Sequence, residues 1–348
     1  MKNEKINENE LKDIKGRIHK IIAFTALQLG AFYFTLEHCE ESLKYNSKNE
    51  ETIEFKIKSL IGIRKFKDAE EILNNNLNLF TNKKIKNEKK EIQRNINHSE
   101  GKFDFLEMLK NEENGIPIVI PDYKNIKLEL SYDKKHGNTF IAKDNILKGE
   151  LLMVNKAISF FKNYNYNRMD LIYMINDALF IRYDISKKDF QKIFDLWTPK
   201  YNLFTINERQ SNFIPNNRNY CNEVQTEISI HNSYGVRKSI FQNEFQPAYG
   251  MGIWYYFSFL NHNCDPNCFY LAIDDILILI SQKNIKKGDK INISYNNYGR
   301  SYFIKQEFLN QVNYFNCDCE LCNIQRNRIN DIEFFENFYL KLIEIFYA

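Results

Sequence analysis

Asn261-His262-Asn263-Cys264-Asp265-Pro266-Asn267 is the most informative segment of this chain, and it is followed downstream by Cys317-Asp-Cys319-Glu-Leu-Cys322. The two stretches offer four cysteine thiols, one remote and three clustered. Four soft sulfur ligands can form a closed tetrahedral zinc site. Such a site would tie the end of the chain to a distant loop and fold a C-terminal flap over a functional cleft.

The cysteine count supports a metal site rather than disulfides. The chain has seven cysteines, an odd number, and three of them form a tight C-x-C-x-x-C cluster. In a reducing compartment this clustering suits a metal better than disulfide bonds. The cluster alone is also compatible with a loop that carries spare thiols. Cys268, four residues beyond Cys264, is either a competing ligand or a packed apolar side chain.

Composition limits the class of protein. The chain has 348 residues and 43% hydrophobic content, enough for two domains that each bury a core. Its 48 basic and 45 acidic side chains leave a net charge of +3, so no direct nucleic-acid partner is predicted. The longest apolar run, Met251 to Leu260, is much shorter than the ~20 residues that span a bilayer. The first twenty residues resemble no cleavable leader. We therefore expect a soluble intracellular protein, nuclear and/or cytoplasmic, without a membrane partner.

Residues 12–80 contain no proline and repeat an apolar pattern typical of paired amphipathic helices. The repeat spacing is 34 residues, which is the period of tetratricopeptide (TPR) repeats. Residues 100–105 indicate the turn of a third, degenerate unit, displaced by about three residues. A plain helical bundle would use the same apolar stripe and remains the alternative. The matched pairs are Leu27/Ile61, Leu29/Ile63, Phe32/Phe66, Thr35/Ala69, Cys39/Leu73 and Leu43/Leu77.

From Gly115 the pattern changes to short β-rich runs separated by turn residues. Between them, residues 166–245 are predicted to form helices and polar loops. The sequence thus predicts an irregular sheet assembly with one long helical insertion. The predicted strands are Ile118–Ile120, Ile126–Leu130, Thr139–Ala142, Leu151–Val154, Ile276–Ile280 and Ile291–Ile293.

Six short motifs in a fixed order give a more specific signal than any one of them. In this order they resemble SET-domain protein lysine methyltransferases, in the branch that includes TPR–SET and SMYD-like proteins. The resemblance runs from residue 135 to the cysteine cluster. The motifs are Lys135-His136-Gly137-Asn138-Thr139-Phe140, Ile146-Leu147-Lys148-Gly149-Glu150, His231-Asn232-Ser233-Tyr234-Gly235, Gly252-Ile253-Trp254, Ser258-Phe259-Leu260-Asn261-His262-Asn263-Cys264 and Lys287-Gly288-Asp289 running to Ser294-Tyr295.

The resemblance implies an α+β fold whose β-rich SET domain has small curved sheets and a pseudoknot. We expect a TPR-like helical domain over 1–112, the SET domain over 113–316 with its helical insertion at about 166–245, a post-SET zinc segment over 317–330, and a C-terminal helix over 331–348. The implied activity is S-adenosylmethionine-dependent methylation of a lysine in a histone or non-histone protein. The alternative is an inactive TPR–SET adaptor that binds protein partners, and the TPR-like helices are a possible partner site in either case.

The same resemblance assigns roles to individual residues. Tyr295 matches the catalytic tyrosine, and the structural zinc would be held by Cys264, Cys317, Cys319 and Cys322. Thr139 takes the place of a second glycine in the stretch that wraps S-adenosylmethionine. The residues implied to bind that cofactor are His136, Gly137, Asn138, Asn232, Asn261, His262 and Phe315.

Considered from the residues alone, Gly137-Asn138 is an ordinary turn before a strand, and Asn261 and His262 are polar residues that need hydrogen-bond partners. Methyl transfer to lysine requires a deprotonated amine, whose ordinary pKa is ~10.4. A narrow aromatic tunnel disfavours the ammonium form by desolvation. The candidates for that tunnel are Tyr255, Tyr256, Tyr298, Tyr302 and Tyr314.

SMYD relatives carry an additional cysteine/histidine zinc module, called MYND, inside the SET region. This chain has Cys221 as its one cysteine between residues 150 and 260. The sequence therefore predicts that the MYND module is absent.

Overall fold

The computed structural model describes residues 7–115, 120, 122–133, 137–162, 168–186, 191–196, 218–236, 250–295, 302–332 and 334–335. Its helices, in chain order, are α1 Glu8–Gln28, α2 Phe32–Tyr45, α3 Glu50–Gly62, α4 Phe66–Asn75, α5 Asn82–Ser99, α6 Phe105–Glu113, α7 Arg168–Ile185, α8 Arg218–Asn232, α9 Tyr302–Asn313 and α10 Glu320–Asn327. Short 3-10 turns lie at Leu77–Leu79, Gln191–Asp195 and Phe257–Phe259.

The first six helices form three successive hairpins, and the same turn joins the two helices of each hairpin. The chain passes through the left-handed region at Gly30 (φ 72°), Arg64 (φ 63°) and Gly101 (φ 83°). Each turn is closed by a hydrogen bond from the next amide to a carbonyl five residues back, as at helix C-termini of the Schellman type. These bonds are Ala31 N to Ala26 O at 3.0 Å, Lys65 N to Leu60 O at 2.8 Å and Lys102 N to Asn97 O at 2.9 Å.

The recurring turn supports the predicted TPR-like repeat over the plain bundle. The first two turns are 34 residues apart, and the third is displaced by three more, as the sequence predicts. The third unit, predicted as degenerate, is a complete hairpin of α5 and α6. Its apolar repeat pattern is hard to recognise in the sequence, because α5 has many lysines and asparagines where the first two units have apolar residues.

Side-chain caps and a shared core explain where these helices lie. Asn49, Thr81 and Asp104 each accept a hydrogen bond from the third backbone amide of the helix that follows. Of the twelve residues matched by the repeat, five are buried, namely Thr35, Cys39, Ile61, Ala69 and Leu73, whereas Leu77 is 37% exposed. The buried cluster that contains Ile61, Ala69 and Leu73 also includes Ile53, Ile57, Leu60 and Ile92.

The β-rich part is built from several small sheets. The strands are β1 Tyr123–Lys124, β2 Leu128–Asp133, β3 Gly137–Ala142, β4 Leu151–Lys156, β5 Ser159–Lys162, β6 Ser233–Val236, β7 Gly250–Ile253, β8 Asn261–His262, β9 Cys268–Ile273, β10 Ile276–Ser281 and β11 Asn292–Ile293. They form a four-stranded sheet in the order β1-β4-β10-β9, a three-stranded sheet β5-β7-β6, and the pairs β2-β3 and β11-β8. The β11-β8 pair is parallel.

Four predicted strands lie close to β2, β3, β4 and β10, and a fifth overlaps β11. Residues 118 and 119 of the sixth lie outside the described residues. The prediction missed β9, because Cys268-Phe-Tyr-Leu-Ala-Ile shows no alternation of apolar and polar residues. It also missed β8, a two-residue strand whose existence depends on its distant partner β11. Such pairing is tertiary, so local sequence carries little trace of it.

Two turns of the SET region have the same structure and cap each other. Asn145 to Glu150 and Asn284 to Asp289 both follow the pattern Asn-Ile-x-Lys-Gly-acidic. Their glycines both have positive φ, and the two isoleucines exchange both backbone hydrogen bonds at 2.9 Å. The asparagines act reciprocally. Asn284 Oδ1 accepts from Lys148 N at 2.9 Å, and Asn145 Oδ1 accepts from Lys287 N at 3.0 Å.

The helical hairpins pack against the β-rich part at two places. Met108 of α6 shares a buried cluster with Val154 and Ile278 of the four-stranded sheet. Gly101 is needed there, because a Cβ atom at that position would lie 2.6 Å from the ring of Tyr123. At the other end, Ala26 belongs to the main core of the β-rich part. The helices therefore brace the sheet assembly.

The insertion is helical in the parts that are described, namely α7, the turn Gln191–Asp195 and α8. It also supplies β6, which the sequence did not predict. Of the predicted C-terminal helix, residues 331–332 and 334–335 are helical and the remainder lies outside the described residues. No helix in the described part of the chain is long and apolar enough to cross a membrane.

Candidate functional site

The four predicted metal ligands meet in one cluster. The sulfur atoms of Cys264, Cys317, Cys319 and Cys322 all lie within 4.8 Å of one another. Cys264 Sγ is 3.9 Å from Cys317 Sγ and 3.4 Å from Cys322 Sγ. Hydrogen bonds from neighbouring thiols favour the ionised form of Cys319 and lower its pKa. Four converging thiols of this kind can hold a soft metal ion.

Side chains around the cluster fix the ligands. Gln306 of α9 accepts a hydrogen bond from the backbone N–H of Cys317 at 3.0 Å, and its Nε2 donates to Cys322 Sγ at 3.1 Å. Arg326 donates to the carbonyl of Cys317 at 3.1 Å. Cys319 immediately precedes α10, so that helix carries Cys322 back to the cluster. The sequence analysis missed Gln306, because one glutamine in a helix has no distinguishing pattern.

Cys39 and Cys268 do not belong to this cluster. Cys268 lies on β9 with no exposed surface and packs in the main core. Burial raises the pKa of its thiol to about 12. Of the two roles left open for Cys268, the structure supports the packed apolar side chain. The side chain of Cys221 lies outside the described residues.

His262 connects the cysteine cluster to Tyr295. Its Nδ1 accepts a hydrogen bond from the backbone N–H of Tyr295 at 3.0 Å, so a neutral ring carries its proton on Nε2. That Nε2 lies 3.2 Å from Cys264 Sγ and donates to it. Burial lowers the pKa of His262 to about 4, which keeps the ring neutral. One imidazole thus holds both a potential metal ligand and the strand end that bears Tyr295.

Tyr295 has its hydroxyl inside the site. The phenol donates to the carbonyl oxygen of Leu260 at 2.6 Å. Burial raises its pKa well above the ordinary value, so the hydroxyl stays protonated at neutral pH. It can therefore orient a ligand through its oxygen but cannot act as a general base there.

Asn261 and Phe315 lie beside this centre. The Nδ2 group of Asn261 is buried and has no hydrogen-bond partner among the described residues. Phe315 faces His262 with ring centres 6.1 Å apart, and the ring of Tyr295 is 5.3 Å from His262 on another side. The unused buried donor of Asn261 and the flat ring of Phe315 are groups that could hold the adenosine portion of a nucleoside-containing cofactor.

Asn232 lies at the end of α8 and its amide donates to Ile228 O at 3.0 Å. The preceding His231 meets the ring of Tyr314 edge-on at 5.1 Å, which brings this helix end next to Phe315. Tyr314 itself has a left-handed backbone, with φ of 61°. Asn232 is therefore close to the C-terminal segment that carries Phe315, and its amide is hydrogen-bonded within α8.

The remaining predicted cofactor residues begin β3. Gly137 has φ of 73°, in the region that glycine adopts without strain, and Asn138 pairs with Tyr132 of β2. The strand reaches the segment before Tyr295 through a hydrogen bond from Ile291 N to Phe140 O at 2.8 Å. Thr139 is buried, and its hydroxyl has no hydrogen-bond partner among the described residues. His136 lies outside the described residues.

The tyrosines suggested for a lysine tunnel have different surroundings. Tyr255 donates to Asp195 at 2.8 Å, and Tyr256 packs edge-on against Phe140 with ring centres 6.4 Å apart. Tyr302 is buried close to the cysteine cluster, whereas Tyr314 is 62% exposed. Tyr298 lies outside the described residues. The structure adds Tyr234 and Tyr270, whose rings meet edge-on at 6.3 Å and which the sequence analysis did not single out for chemistry.

Comparison with known proteins agrees with this arrangement. Residues 137–296 match the family model of the SET domain. A SET and MYND domain-containing protein of Dictyostelium discoideum is 38% identical over 77 residues, which cover 22% of this chain and 22% of that protein. SET domain and MYND-type zinc finger protein 6 of Schizosaccharomyces pombe is 38% identical over 63 residues, covering 18% and 13%. Human histone-lysine N-methyltransferase SMYD3 is 32% identical over 76 residues, covering 22% and 18%.

The alignments are local, and this chain spans between 13% and 22% of the length of these relatives. The family match itself extends from the first residue of β3 to just beyond Tyr295, so it includes the parallel β8-β11 pair and the Asn261-His262 stretch. Residues 137–296 are therefore a SET domain, and the chain is similar over a shorter stretch to SET and MYND domain-containing proteins and to SMYD3.

Proposed function

We propose that this protein transfers a methyl group from S-adenosylmethionine to the side-chain amine of a lysine in a protein substrate. The observation that carries the proposal is the convergence of Tyr295, His262 and Asn261 beside a four-thiol cluster within a SET domain. SMYD3, one of the similar proteins, is named a histone-lysine N-methyltransferase. Histone and non-histone lysines both remain within the proposed substrate class.

The residues of the chain supply binding and orientation. Asn261 would use its free Nδ2 donor, and Phe315 its flat ring, to hold the adenosine portion of the cofactor. Gly137 and Asn138 would line its other side. When bound, S-adenosylmethionine supplies an electrophilic methyl group on a sulfonium centre. Asn232, His262 and His136 are the other members of the predicted binding set, and His262 would act mainly through the backbone that it holds.

The chemical step needs a neutral lysine amine in line with the methyl carbon. The amine lone pair forms the new C–N bond while the C–S bond breaks, and the departing pair returns to sulfur. Desolvation by the surrounding aromatic side chains favours the neutral amine over the ammonium ion. The protonated phenol of Tyr295 offers its oxygen to orient the methyl group. No strong general acid is required, which agrees with the high pKa of Tyr295.

We also propose that Cys264, Cys317, Cys319 and Cys322 hold one structural zinc ion. A site of four thiolates leaves no open coordination position, so the ion would serve the fold and not the reaction. Its role would be to fix the flap that carries Phe315 against His262. Gln306 would restrain two of the ligands through its amide group.

Two measurements on the full-length chain test the proposal. Incubation with methyl-labelled S-adenosylmethionine and a protein extract should give label in methyl-lysine after acid hydrolysis, and mass spectrometry identifies the lysine. Metal analysis should give close to one zinc per chain. Binding of cofactor and partners without any methyl-lysine would favour the inactive adaptor instead, and absence of cofactor binding would refute the enzymatic proposal.

A further inference from the structure

Two tyrosine hydroxyls are bound to one short turn of the main chain. The turn is the 3-10 segment Phe257–Phe259 with the following Leu260, directly before Asn261. Tyr234 donates its phenolic hydrogen to the carbonyl oxygen of Phe257 at 2.8 Å. Tyr295 donates to the carbonyl oxygen of Leu260 at 2.6 Å.

The turn connects these two hydrogen bonds. The carbonyl of Phe257 accepts both the Tyr234 hydroxyl and the backbone N–H of Leu260, the latter at 3.0 Å. Leu260 then presents its own carbonyl to Tyr295. The position of the Tyr295 oxygen is therefore coupled to the position of the Tyr234 oxygen through one residue, Leu260.

Tyr234 is itself held firmly. It lies on β6 opposite Gly252 of β7. A Cβ atom at Gly252 would lie 2.6 Å from the Ser159 carbonyl, so this pairing leaves little room for adjustment. The ring of Tyr234 stands edge-on to Trp254 and Phe257, each with a ring-centre separation of 6.4 Å. Desolvation raises the pKa of Tyr234 well above its ordinary value, so its hydroxyl is a permanent donor at neutral pH.

Hydrophobic packing alone explains an aromatic ring at this place, but not its hydroxyl. Phe257 and Leu260 have no exposed surface, so a carbonyl that lost its phenolic donor would gain no water in exchange. Phenylalanine would fill the same space without the oxygen. The hydroxyl thus has one local function, to fix the Phe257 carbonyl and the turn that follows it.

We propose that Tyr234 is a positioning residue for Tyr295, which it acts on through the Phe257–Leu260 turn. This inference rests on the proposed methyl transfer, because positioning is useful only if the Tyr295 oxygen meets a reacting methyl group. Small displacements of a reacting group cost large factors in rate, up to about a hundredfold for about 1 Å.

The test compares Tyr234→Phe with Ser258→Ala in the full-length protein. Ser258 Oγ donates to Trp254 O at 2.9 Å in the same turn, so its loss removes a comparable hydrogen bond without touching the Tyr234–Tyr295 connection. We expect Tyr234→Phe to lower kcat by about tenfold, with the cofactor Kd and substrate KM unchanged within about twofold. Ser258→Ala should leave kcat within about twofold of the unmodified protein.

A spectroscopic readout separates this inference from the proposed function. Tyrosine labelled with ¹³C at Cζ reports the hydrogen bond of each phenol, and Tyr295→Phe identifies the Tyr295 signal by its disappearance. We expect that signal to shift in Tyr234→Phe and to stay in place in Ser258→Ala. If the unmodified protein transferred no methyl group, the proposed function would be wrong. The ¹³C measurement would still report whether Tyr234 positions Tyr295.

Two results would overturn the inference. One is an unmoved Tyr295 signal in a folded Tyr234→Phe protein, and the other is a kcat within twofold of normal. Should Tyr234→Phe fail to fold, Tyr234→4-aminophenylalanine keeps a donor at the same place. It is expected to retain kcat and the Tyr295 signal position, and a folded variant that lost both would contradict the role given to the donor.

Discussion

The backbone N–H of Tyr295 donates a hydrogen bond to Nδ1 of His262, with a nitrogen–nitrogen distance of 3.0 Å. The other ring nitrogen faces Cys264 Sγ at 3.2 Å. The imidazole is thus a rigid spacer between the thiol cluster and the strand end that carries the phenol. In the proposed enzyme, this spacer would make metal occupancy and the position of Tyr295 interdependent.

His262→Ala should weaken both ends of this connection. The partly buried N–H of Tyr295 would lose its partner, at a cost of about 1 kcal/mol. Loss of a group bonded to a metal ligand typically weakens metal affinity by about 10–100-fold. Competition with a chelator measures the zinc affinity, and amide hydrogen exchange measures the protection of Tyr295. His38→Ala, on α2 and away from the cluster, is the matched control. Unchanged exchange at Tyr295 would contradict the prediction.

Tyr295→Phe should abolish most methyl transfer and preserve the fold. Removal of one oriented polar group at a reacting centre typically costs about 10²–10³ in kcat. The unbonded Leu260 carbonyl should reduce the free energy of unfolding by about 1 kcal/mol. Steady-state kinetics and a cofactor-binding titration test this prediction. A variant with near-normal kcat, or one that binds no cofactor, would show that Tyr295 has a different role.

Cys264→Ser should release the proposed zinc ion, because Cys264 is the one ligand of the four that lies outside the C-terminal segment 302–335. The metal content should fall well below one per chain, and residues 302–335 should become sensitive to protease. Cys268→Ala is the control, since Cys268 packs in the core and its thiol is not part of the cluster. That variant should retain its zinc. Full zinc content in Cys264→Ser would instead indicate that the three flap thiols bind the ion without it.

Glu88→Gln should stabilise the protein at neutral and alkaline pH. Glu88 of α5 is 6% exposed, and burial raises its pKa from 4.5 to about 7. Because the folded-state pKa lies above the unfolded value, the contribution of Glu88 to stability is greatest below pH 4.5 and is lost as pH rises to about 7. Above pH 7, glutamine should gain about 1–3 kcal/mol in the free energy of unfolding.

Urea denaturation across pH 5 to 8 measures this difference. The exposed Glu70→Gln on α4 changes net charge by the same amount and should have a small effect. An equal gain for Glu88→Gln at pH 5 and pH 8 would mean that ionisation of Glu88 is not the cause.

Arg64→Gly should stabilise the helical hairpins, because Arg64 occupies the left-handed turn position that glycine takes in the first and third units. A non-glycine residue in that region costs about 1–2 kcal/mol. We expect a gain of about 1 kcal/mol in the free energy of unfolding. Gly30→Ala is the reverse control, since a Cβ atom at Gly30 would meet nothing within 4 Å and only the backbone would matter. A loss of stability in Arg64→Gly would mean that the Arg64 side chain contributes more than the strain costs.

The sequence predicts the structure well where the spacing between residues indicates their role. The 34-residue register predicts the repeated turn at Gly30 and Arg64, and the four cysteines predict their own convergence. Cysteine clusters and apolar helical stripes can be recognised in a sequence, because each residue type has few other uses at that spacing.

The groups that orient the site leave no comparable mark. Gln306 acts through hydrogen bonds to Cys317 and Cys322, which are 11 and 16 residues away, and Tyr234 acts through one hydrogen bond to Phe257, 23 residues away. The local sequence around each is ordinary for a helix or a strand. The strand β8 likewise exists only because β11 lies beside it. These features depend on tertiary neighbours, which a single sequence does not reveal.

The paired turns at Asn145 and Asn284 determine when the SET region can fold during synthesis on the ribosome. Each asparagine satisfies a backbone amide of the other turn, so neither turn is complete until both have been synthesised. Until the intervening chain has been translated, the exposed polar groups of the first turn have only water as a hydrogen-bond partner. Closure across such a sequence separation is slow. Folding of the SET region should therefore finish late, once the segment that ends at Tyr295 has left the exit tunnel.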